Sequence, residues 1–267
     1  MKKEMEKMNM REKKIWKRLA GLAAALCLMM LLSGMTVLAA DKVENLALGQ
    51  VYTNTDQDGS ITHCYRFTVK NPGTLTVSAT AIAGGNYYLG VNVSLCNARG
   101  KVLTTEYINA MSSVESMKAA VFGINKGTYQ IKIQTPNTFI LNTQFKKIVE
   151  KSGKTQKKAV SLKKGATRYG VVAIGESAKK TDWYKITLKS PAKIKLEFDS
   201  LSNRSLYATL VPSKSAGIRG TYTIYRSGSA TIQTTLGKNL PRGTYYLKVY
   251  RSVKDSSVNG IYSIKWK

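Results

Sequence analysis

Residues 182–198, DWYKITLKSPAKIKLEF, decide the fold, because a related stretch, HCYRFTVKNPGTLTVSA, occurs earlier at residues 63–79. The two stretches align without a gap, 119 positions apart, and each predicts a strand, a proline-containing turn and a second strand. A second pair follows downstream, since KGTYQIKI at residues 126–133 returns as RGTYYLKV at residues 242–249. One structural unit therefore occurs twice in this chain of 267 residues.

Apolar and polar residues alternate strictly in both copies. In the second copy, Tyr184 and Ile186 alternate with Trp183 and Lys185. A period of two predicts half-buried antiparallel strands, and the turn residues between them recur at the spacing of a β-sandwich. Short strands of this kind bury their inner faces by packing two sheets together. The expected fold class is all-β, with two tandem antiparallel β-sandwich domains of jelly-roll-like form.

The chain is expected to divide into four segments. These are a signal peptide at 1–40, a first β-sandwich module at 41–148, a basic linker at 149–158 and a strongly basic second module at 159–267. The first segment carries a basic start and an uncharged apolar run that ends in small residues, which is typical of a helical secretory signal peptide. An uncleaved anchor is the alternative, since about 20 apolar residues also span a bilayer. Both alternatives predict a secreted or cell-envelope-associated protein that contacts the membrane only through this segment.

Positive charge is concentrated in the second half of the chain. The formal net charge is +27, and residues 149–267 hold 24 Lys and Arg against six Asp and Glu. Residues 41–148 hold ten against six. Such an asymmetry favours anionic partners, among them cell-wall phosphate polymers, acidic polysaccharides and lipid headgroups. Solubility alone is the alternative explanation, and no recognition motif predicts a specific nucleic-acid partner.

Motifs for catalysis, nucleotide binding and metal binding are absent from the sequence. His63 is the one histidine, and a lone imidazole without a partner set does not predict acid–base catalysis. Asp56 and Asp58 lack the ligand spacing of a calcium loop, so they predict a turn. The sequence therefore predicts a protein that is not an enzyme, with no catalytic residue, no metal site and no cofactor.

Two cysteines, Cys64 and Cys96, follow the predicted signal peptide. Alternation places both on outward faces, beside the inward Tyr65 and Leu95. A disulfide between them requires neighbouring strands in matching register, so both redox states stay open. Two thiols and one histidine do not supply the four ligands of a structural zinc site.

Candidate ligand-binding residues lie on the predicted outer face of the second module. Alternation points seven side chains outward, namely Trp183, Lys185, Lys193, Lys195, Tyr246, Lys248 and Tyr250. Lysine attracts phosphate and carboxylate groups, and exposed aromatic rings offer flat faces to sugars and cations. Lysine on a strand exterior also discourages edge pairing, and tyrosine is frequent in strands generally, so an ordinary solvent-facing sheet is the alternative.

The repeated stretches, with GIYSIKW at residues 260–266, resemble the bacterial pre-peptidase C-terminal domain. The resemblance implies a β-sandwich accessory module that is not catalytic and that attaches to protein or polysaccharide surfaces. Related modules in collagenases bind collagen and use acidic calcium ligands. His63 stands here where the second copy has Asp182, and acidic residues are scarce, so calcium binding is not predicted.

The predicted function is that of a secreted, non-catalytic protein. It attaches to an anionic extracellular polymer or cell-envelope polysaccharide through a basic, aromatic-bearing sheet face. Two alternatives remain. One is an adhesin for an extracellular matrix protein, as the collagen-binding relatives suggest, and the other is an accessory or inhibitor module of a secreted hydrolase.

Overall fold

We describe the computed structural model over residues 43–55, 62–83, 87–109 and 119–267, with the backbone alone at residues 83, 87, 88 and 225–238. The predicted signal peptide at 1–40 and the predicted turn at Asp56 and Asp58 lie outside these residues. Apart from two short 3-10 turns, every regular element within them is a strand, which confirms the all-β prediction. No helix in these ranges is long and apolar enough to cross a membrane.

The described ranges contain seventeen strands, ten in the first half of the chain and seven in the second. Those of the first half are β1 (Val43–Asn45), β2 (Val51–Asn54), β3 (Thr62–Val69), β4 (Gly73–Ala83), β5 (Tyr87–Leu89), β6 (Val91–Asn97), β7 (Val102–Ile108), β8 (Ala120–Ile124), β9 (Gly127–Gln134) and β10 (Thr138–Lys147). Those of the second half are β11 (Val160–Ser161), β12 (Thr167–Val172), β13 (Thr181–Leu188), β14 (Ala192–Pro212), β15 (Tyr222–Leu240), β16 (Gly243–Arg251) and β17 (Gly260–Trp266).

The first half is a sandwich of two sheets. One has the strand order β1-β3-β9-β6-β7, and the other has the order β2-β10-β4-β5, with β8 paired to β4. Their inner faces enclose one apolar core that includes Tyr65, Phe122, Ile131 and Phe139. The alternation that predicts Tyr65 inward and Arg66 outward is therefore confirmed, because Tyr65 is buried and Arg66 is exposed.

The second half is built from one folded sheet in the order β11-β13-β16-β14-β17-β12, with β15 paired to β14. The first part of β14 pairs with β17 and the later part with β16, and its register against β15 shifts between Ser202 and Leu206. The two parts bury their inner faces in a single core. Tyr184 on β13 and Tyr262 on β17 meet across this core with their hydroxyl oxygens 2.8 Å apart. The outer faces of the two parts consequently lie on opposite sides of the sandwich.

The internal repeat is visible in the strand pairing. In each half a short first strand runs parallel to the next long one, β1 to β3 and β11 to β13. Each long strand then pairs antiparallel with the G-T-Y strand, so that Tyr65 lies opposite Ile131 and Tyr184 lies opposite Leu247. The sequence pattern predicted separate short strands where β14 and β15 run for 21 and 19 residues. The polar stretch after Ser202 does not end the strand. It forms the irregularity at which the register of β14 against β15 shifts, at the corner of the folded sheet.

The two halves contact each other through β8. The Gly123 amide donates to Asn259 Oδ1 at 2.9 Å, and the Ile174 amide donates to Gly123 O at 2.9 Å. The Ile174 side chain is buried with the core of the first half. The segment predicted as a linker also has fixed partners, since Gly153 and Trp183 exchange two backbone hydrogen bonds of 2.8 and 2.9 Å. This segment is therefore docked along β13.

Cys64 and Cys96 lie on strands that are separated by β9. Cys64 pairs with Lys132 of β9 and Cys96 pairs with Gln130. Two strand spacings amount to about 9.6 Å, beyond the Cα separation of about 7 Å that a disulfide tolerates. Both thiols are separate and at most 1% exposed, so the outward face predicted for them is not solvent-exposed. Gln130, the residue opposite Cys96, is also buried.

Candidate functional site

The structure brings five of the seven predicted ligand-binding residues together on the outer face of β13 and β16. The register of these strands places Trp183 opposite Lys248, Lys185 opposite Tyr246, and Thr181 opposite Tyr250. Lys185 is exposed, and the other four predicted side chains are half-buried. Two lysines and three aromatic rings thus share one continuous surface.

Lys193 and Lys195 are not part of this surface. They belong to the first part of β14, where Lys195 lies opposite Thr235 of β15 and its carbonyl accepts a hydrogen bond of 2.9 Å from the Lys267 amide. Both lysines are exposed. Because the two parts of β14 face away from each other across the core, these lysines lie on the opposite side of the sandwich.

Tyr207 joins the five clustered residues, and the sequence reasoning missed it. The later part of β14 pairs with β16 so that Tyr207 lies opposite Tyr250, with the ring centres 5.5 Å apart in an edge-to-face arrangement. Tyr207 lies between the buried Leu206 and Ala208, so strand alternation is a signal for its outward direction, but only the pairing of β14 with β16 places it beside the others. We call these six residues the aromatic–lysine face: Trp183, Lys185, Tyr207, Tyr246, Lys248 and Tyr250.

Contacts within the aromatic–lysine face hold two of its side chains in place. The Lys248 Nζ lies 4.8 Å from the centre of the Tyr250 ring, within the range of a cation–π contact. The Tyr250 hydroxyl lies 3.2 Å from Thr209 Oγ1, which in turn lies 2.9 Å from Thr223 Oγ1. These contacts reduce the side-chain freedom that a ligand would otherwise have to remove on binding.

A cleft of about 870 Å³ opens beside this face and shares Trp183 with it. Its walls come from both halves of the protein. Asn125 follows β8, and the remaining residues belong to the docked segment, to the loop before β13 and to the start of β13. Besides Trp183, eight of the residues that line it matter below: Asn125, Glu150, Lys154, Gln156, Glu176, Lys179, Lys180 and Asp182.

Lys180 lies at the centre of the acidic residues of this cleft. Its Nζ is 3.2 Å from Glu176 Oε1, 3.6 Å from Glu150 Oε1 and 3.9 Å from Asp182 Oδ1, and it also donates to Val171 O at 3.1 Å. Burial works against the charge of Lys180, but the three carboxylates raise its pKa above the usual value. Lys180 is therefore a fixed cation that offsets one of the three negative charges of this acidic cluster.

Asp182 is buried beneath the cleft. Tyr262 donates to Asp182 Oδ2 at 2.8 Å, and the Ser152 hydroxyl lies 3.1 Å from Asp182 Oδ1 and 2.7 Å from Glu150 Oε1. Burial is the largest influence on this carboxyl and raises the pKa of Asp182 to about 6. Because the Tyr262 hydroxyl donates its hydrogen to Asp182, it must accept from the Tyr184 hydroxyl. The hydrogen-bonded chain Tyr184–Tyr262–Asp182 thus crosses the core.

Arg251 fixes the loop that carries Glu176. Its guanidinium donates to Val258 O at 2.8 Å, to Ala173 O at 2.8 Å and to Ser177 O at 3.0 Å. Burial lowers the pKa of Arg251 from its usual value, while the nearby Glu176 carboxylate opposes that effect. The wall of the cleft is thus held by a buried cation rather than by loop residues alone.

His63 has a structural position. It is buried, its Nδ1 lies 2.9 Å from Asn54 Nδ2, and its ring packs edge-on against Phe139 at 5.2 Å. Within the described part of the chain, no three His, Cys, Asp or Glu side chains are grouped so that they could hold a metal ion. The acidic cluster of the cleft already contains an ammonium group at its centre.

No protein-family model and no curated protein matches this chain. Three similar solved structures are the pre-peptidase C-terminal domain of a collagenase from Bacillus anthracis, the tandem CBM22 domain of Xyn10C from Paenibacillus barcinonensis, and the PBSX exported protein XepA. The first is 16% identical with a TM-score of 0.31, covering 39% of this chain and 96% of its own. The second is 8% identical with a TM-score of 0.26, covering 76% and 82%. The third is 9% identical with a TM-score of 0.25, covering 82% and 85%.

Proposed function

We propose that this chain is a secreted, non-catalytic binding protein that attaches to an anionic cell-wall polymer or polysaccharide through the aromatic–lysine face. The observation that carries the proposal is the register of β13 against β16, which sets Trp183 and Tyr246 beside Lys248 and Lys185. Flat rings supply contact area for sugar units, and the ammonium groups attract the phosphate or carboxylate groups of the same polymer.

The distribution of charge supports an anionic target. Residues 149–267 hold 24 basic side chains against six acidic ones. Of these six, Glu150, Glu176 and Asp182 are gathered around Lys180. Half of the acidic side chains therefore form ion pairs with Lys180 within the protein, while Lys185 is exposed to solvent. Long-range attraction brings an anionic chain to the protein, and the aromatic rings then position it.

Retention on purified cell wall tests this proposal, and the protein supplies its own matched control. Replacing Lys185 and Lys248 together by alanine removes two positive charges from the aromatic–lysine face. Replacing Lys193 and Lys195 together removes the same charge from the opposite side. Each exposed charge pair contributes about 0.2–1 kcal/mol, so the loss of two such pairs should weaken binding of the first double variant by roughly 2- to 30-fold. The second double variant should bind nearly as the parent does.

Retention is also expected to fall as NaCl rises from about 0.05 to 0.5 M, because exposed charge pairs are screened. Equal losses in the two double variants would show that net charge alone is responsible and would contradict the proposed face. A collagen-coated surface assayed in parallel separates polymer attachment from attachment to a matrix protein.

A further inference from the structure

The cleft beside Trp183 differs in its chemistry from the aromatic–lysine face. The face combines two lysines with aromatic rings. The cleft instead combines three acidic residues with three basic ones and the amide of Gln156; the charged residues are Glu150, Glu176, Asp182, Lys154, Lys179 and Lys180. Donors and acceptors are both present, and their charges nearly balance. Such a lining fits a ligand that is rich in hydroxyl groups and carries no net charge.

The walls of the cleft are set before any ligand arrives. Asn125 Nδ2 donates to Glu176 Oε1 at 2.9 Å, which links the first half of the protein to the second across the cleft. The Ala173 amide donates to Glu176 Oε2 at 3.0 Å and holds the other oxygen of the same carboxylate. Lys180 fixes Glu150 and Glu176 relative to each other. A site with side chains already held in this way loses little conformational freedom on binding.

The volume of about 870 Å³ lies within the range of about 300–1,000 Å³ that is usual for small-ligand sites. Trp183 supplies a flat apolar surface among otherwise polar residues. Since a sugar ring has an apolar face and a rim of hydroxyls, this combination matches a pyranose better than it matches an ion or an apolar molecule.

We propose that this cleft binds an uncharged oligosaccharide unit, with one sugar face on Trp183 and the hydroxyl groups on Gln156, Glu150 and Lys154. The inference deepens the proposed function and rests on it in one respect, because the shared Trp183 lets a single polysaccharide occupy the face and the cleft together. The cleft contributes recognition of the sugar, and the face contributes attraction to its charged substituents.

The test uses soluble, uncharged tetrasaccharides of glucose, xylose and N-acetylglucosamine, each titrated to 10 mM into the full chain with nitrogen-15 labelling. The chain has three tryptophans, so the indole N–H signal of Trp183 is identified by its loss in Trp183→Phe. Saturable movement of this signal is expected with at least one tetrasaccharide. The movement should persist in 0.5 M NaCl, because an uncharged ligand is not screened.

Matched variants place the binding in the cleft. Gln156 lines the cleft, and Gln144 is an exposed residue on β10 in the other half. Gln156→Ala is expected to weaken binding about three- to tenfold, the effect of one hydrogen bond, and Gln144→Ala to leave it unchanged. The Lys185→Ala/Lys248→Ala variant should bind the tetrasaccharide as the parent does.

Three outcomes would overturn the inference: no movement of the Trp183 signal with any of the three probes, movement that disappears in salt, or equal behaviour of Gln156→Ala and Gln144→Ala. The proposed function fails separately. If the parent protein binds the tetrasaccharide but is not retained on cell wall, the aromatic–lysine face alone is refuted. If the parent is retained on cell wall but binds no tetrasaccharide, the cleft alone is refuted.

Discussion

Replacing Tyr262 by phenylalanine tests the polar chain that crosses the core of the second half. The ring of Tyr262 is 2% exposed, and its hydroxyl accepts from Tyr184 and donates to Asp182, each over 2.8 Å. Phenylalanine keeps the ring in place and removes only the hydroxyl. Two buried polar groups, the Tyr184 hydroxyl and one oxygen of Asp182, then lose their partner.

The size of the effect follows from these two bonds. A hydrogen bond to a charged group contributes about 1.5–3 kcal/mol, and a neutral one contributes about 0.5–1.5 kcal/mol. We therefore expect Tyr262→Phe to lower the free energy of unfolding by about 2–4 kcal/mol at pH 8, where Asp182 is ionised. At pH 5 Asp182 is mostly protonated, since its pKa is raised to about 6, and the loss should be nearer 1–2 kcal/mol.

The parent protein has a related pH dependence with a definite sign. The pKa of Asp182 is raised from the ordinary 3.8 to about 6, so between these values the folded state binds more protons than the unfolded state. The contribution of Asp182 to stability therefore falls as the pH rises from about 4 to about 6. Tyr262 lowers this pKa by its hydrogen bond, so Tyr262→Phe should extend the fall to higher pH.

Urea denaturation at pH 5 and pH 8, followed by tryptophan fluorescence, measures both effects. Tyr246→Phe on the outer face is the control and should change stability by less than about 0.5 kcal/mol, as surface substitutions usually do. A loss below about 1 kcal/mol at pH 8, or the same loss at both pH values, would refute the reasoning about the buried carboxyl.

Further substitutions address the core, the cleft and the junction. Phe198→Ala should cost about 3–5 kcal/mol by leaving a cavity in the core of the second half, whereas Lys193→Ala on the same strand should be nearly neutral, both measured by urea denaturation. Lys180→Met should cost about 1–3 kcal/mol at pH 7, because three carboxylates lose their central cation. The cost should shrink at pH 5 as Asp182 takes up a proton, and an equal cost at both pH values would count against the cluster. Gly123→Ala should weaken the contact between the two halves and lower the melting temperature, since a Cβ there would collide with Gly260 O and lie 2.7 Å from Val172 O. An unchanged melting temperature would contradict this contact. Dithiothreitol should leave the melting temperature unchanged, because Cys64 and Cys96 lie on strands separated by β9, and a lower melting temperature on reduction would show a disulfide.

Alternation along single strands was sufficient for the local features of the fold. Tyr184 and Ile186 are buried and Lys185 is exposed, as a period of two requires. This signal depends only on residues next to each other in the chain. It also identified the outward direction of the candidate lysines and aromatic residues correctly.

Features that depend on contacts between distant parts of the chain could not be predicted from the alternation pattern. Lys193 and Tyr207 both point outward on β14, but the sequence does not show that this strand crosses from one side of the sandwich to the other between them. The acidic cluster around Lys180 was equally hidden, because Glu150 and Glu176 reach it from separate segments. A strand partner is set by long-range packing, which a local pattern does not encode.

The contact between the halves has a mechanical consequence. Asn125 and Glu176, one from each half, border the same cleft and are joined by a hydrogen bond, so parting the halves would dismantle the cleft. A ligand that contacts both walls binds only while the halves are together. By mass action, its binding therefore stabilises the contact between the two halves. Tension applied along a bound polymer would therefore act on the hydrogen bonds that join the two halves.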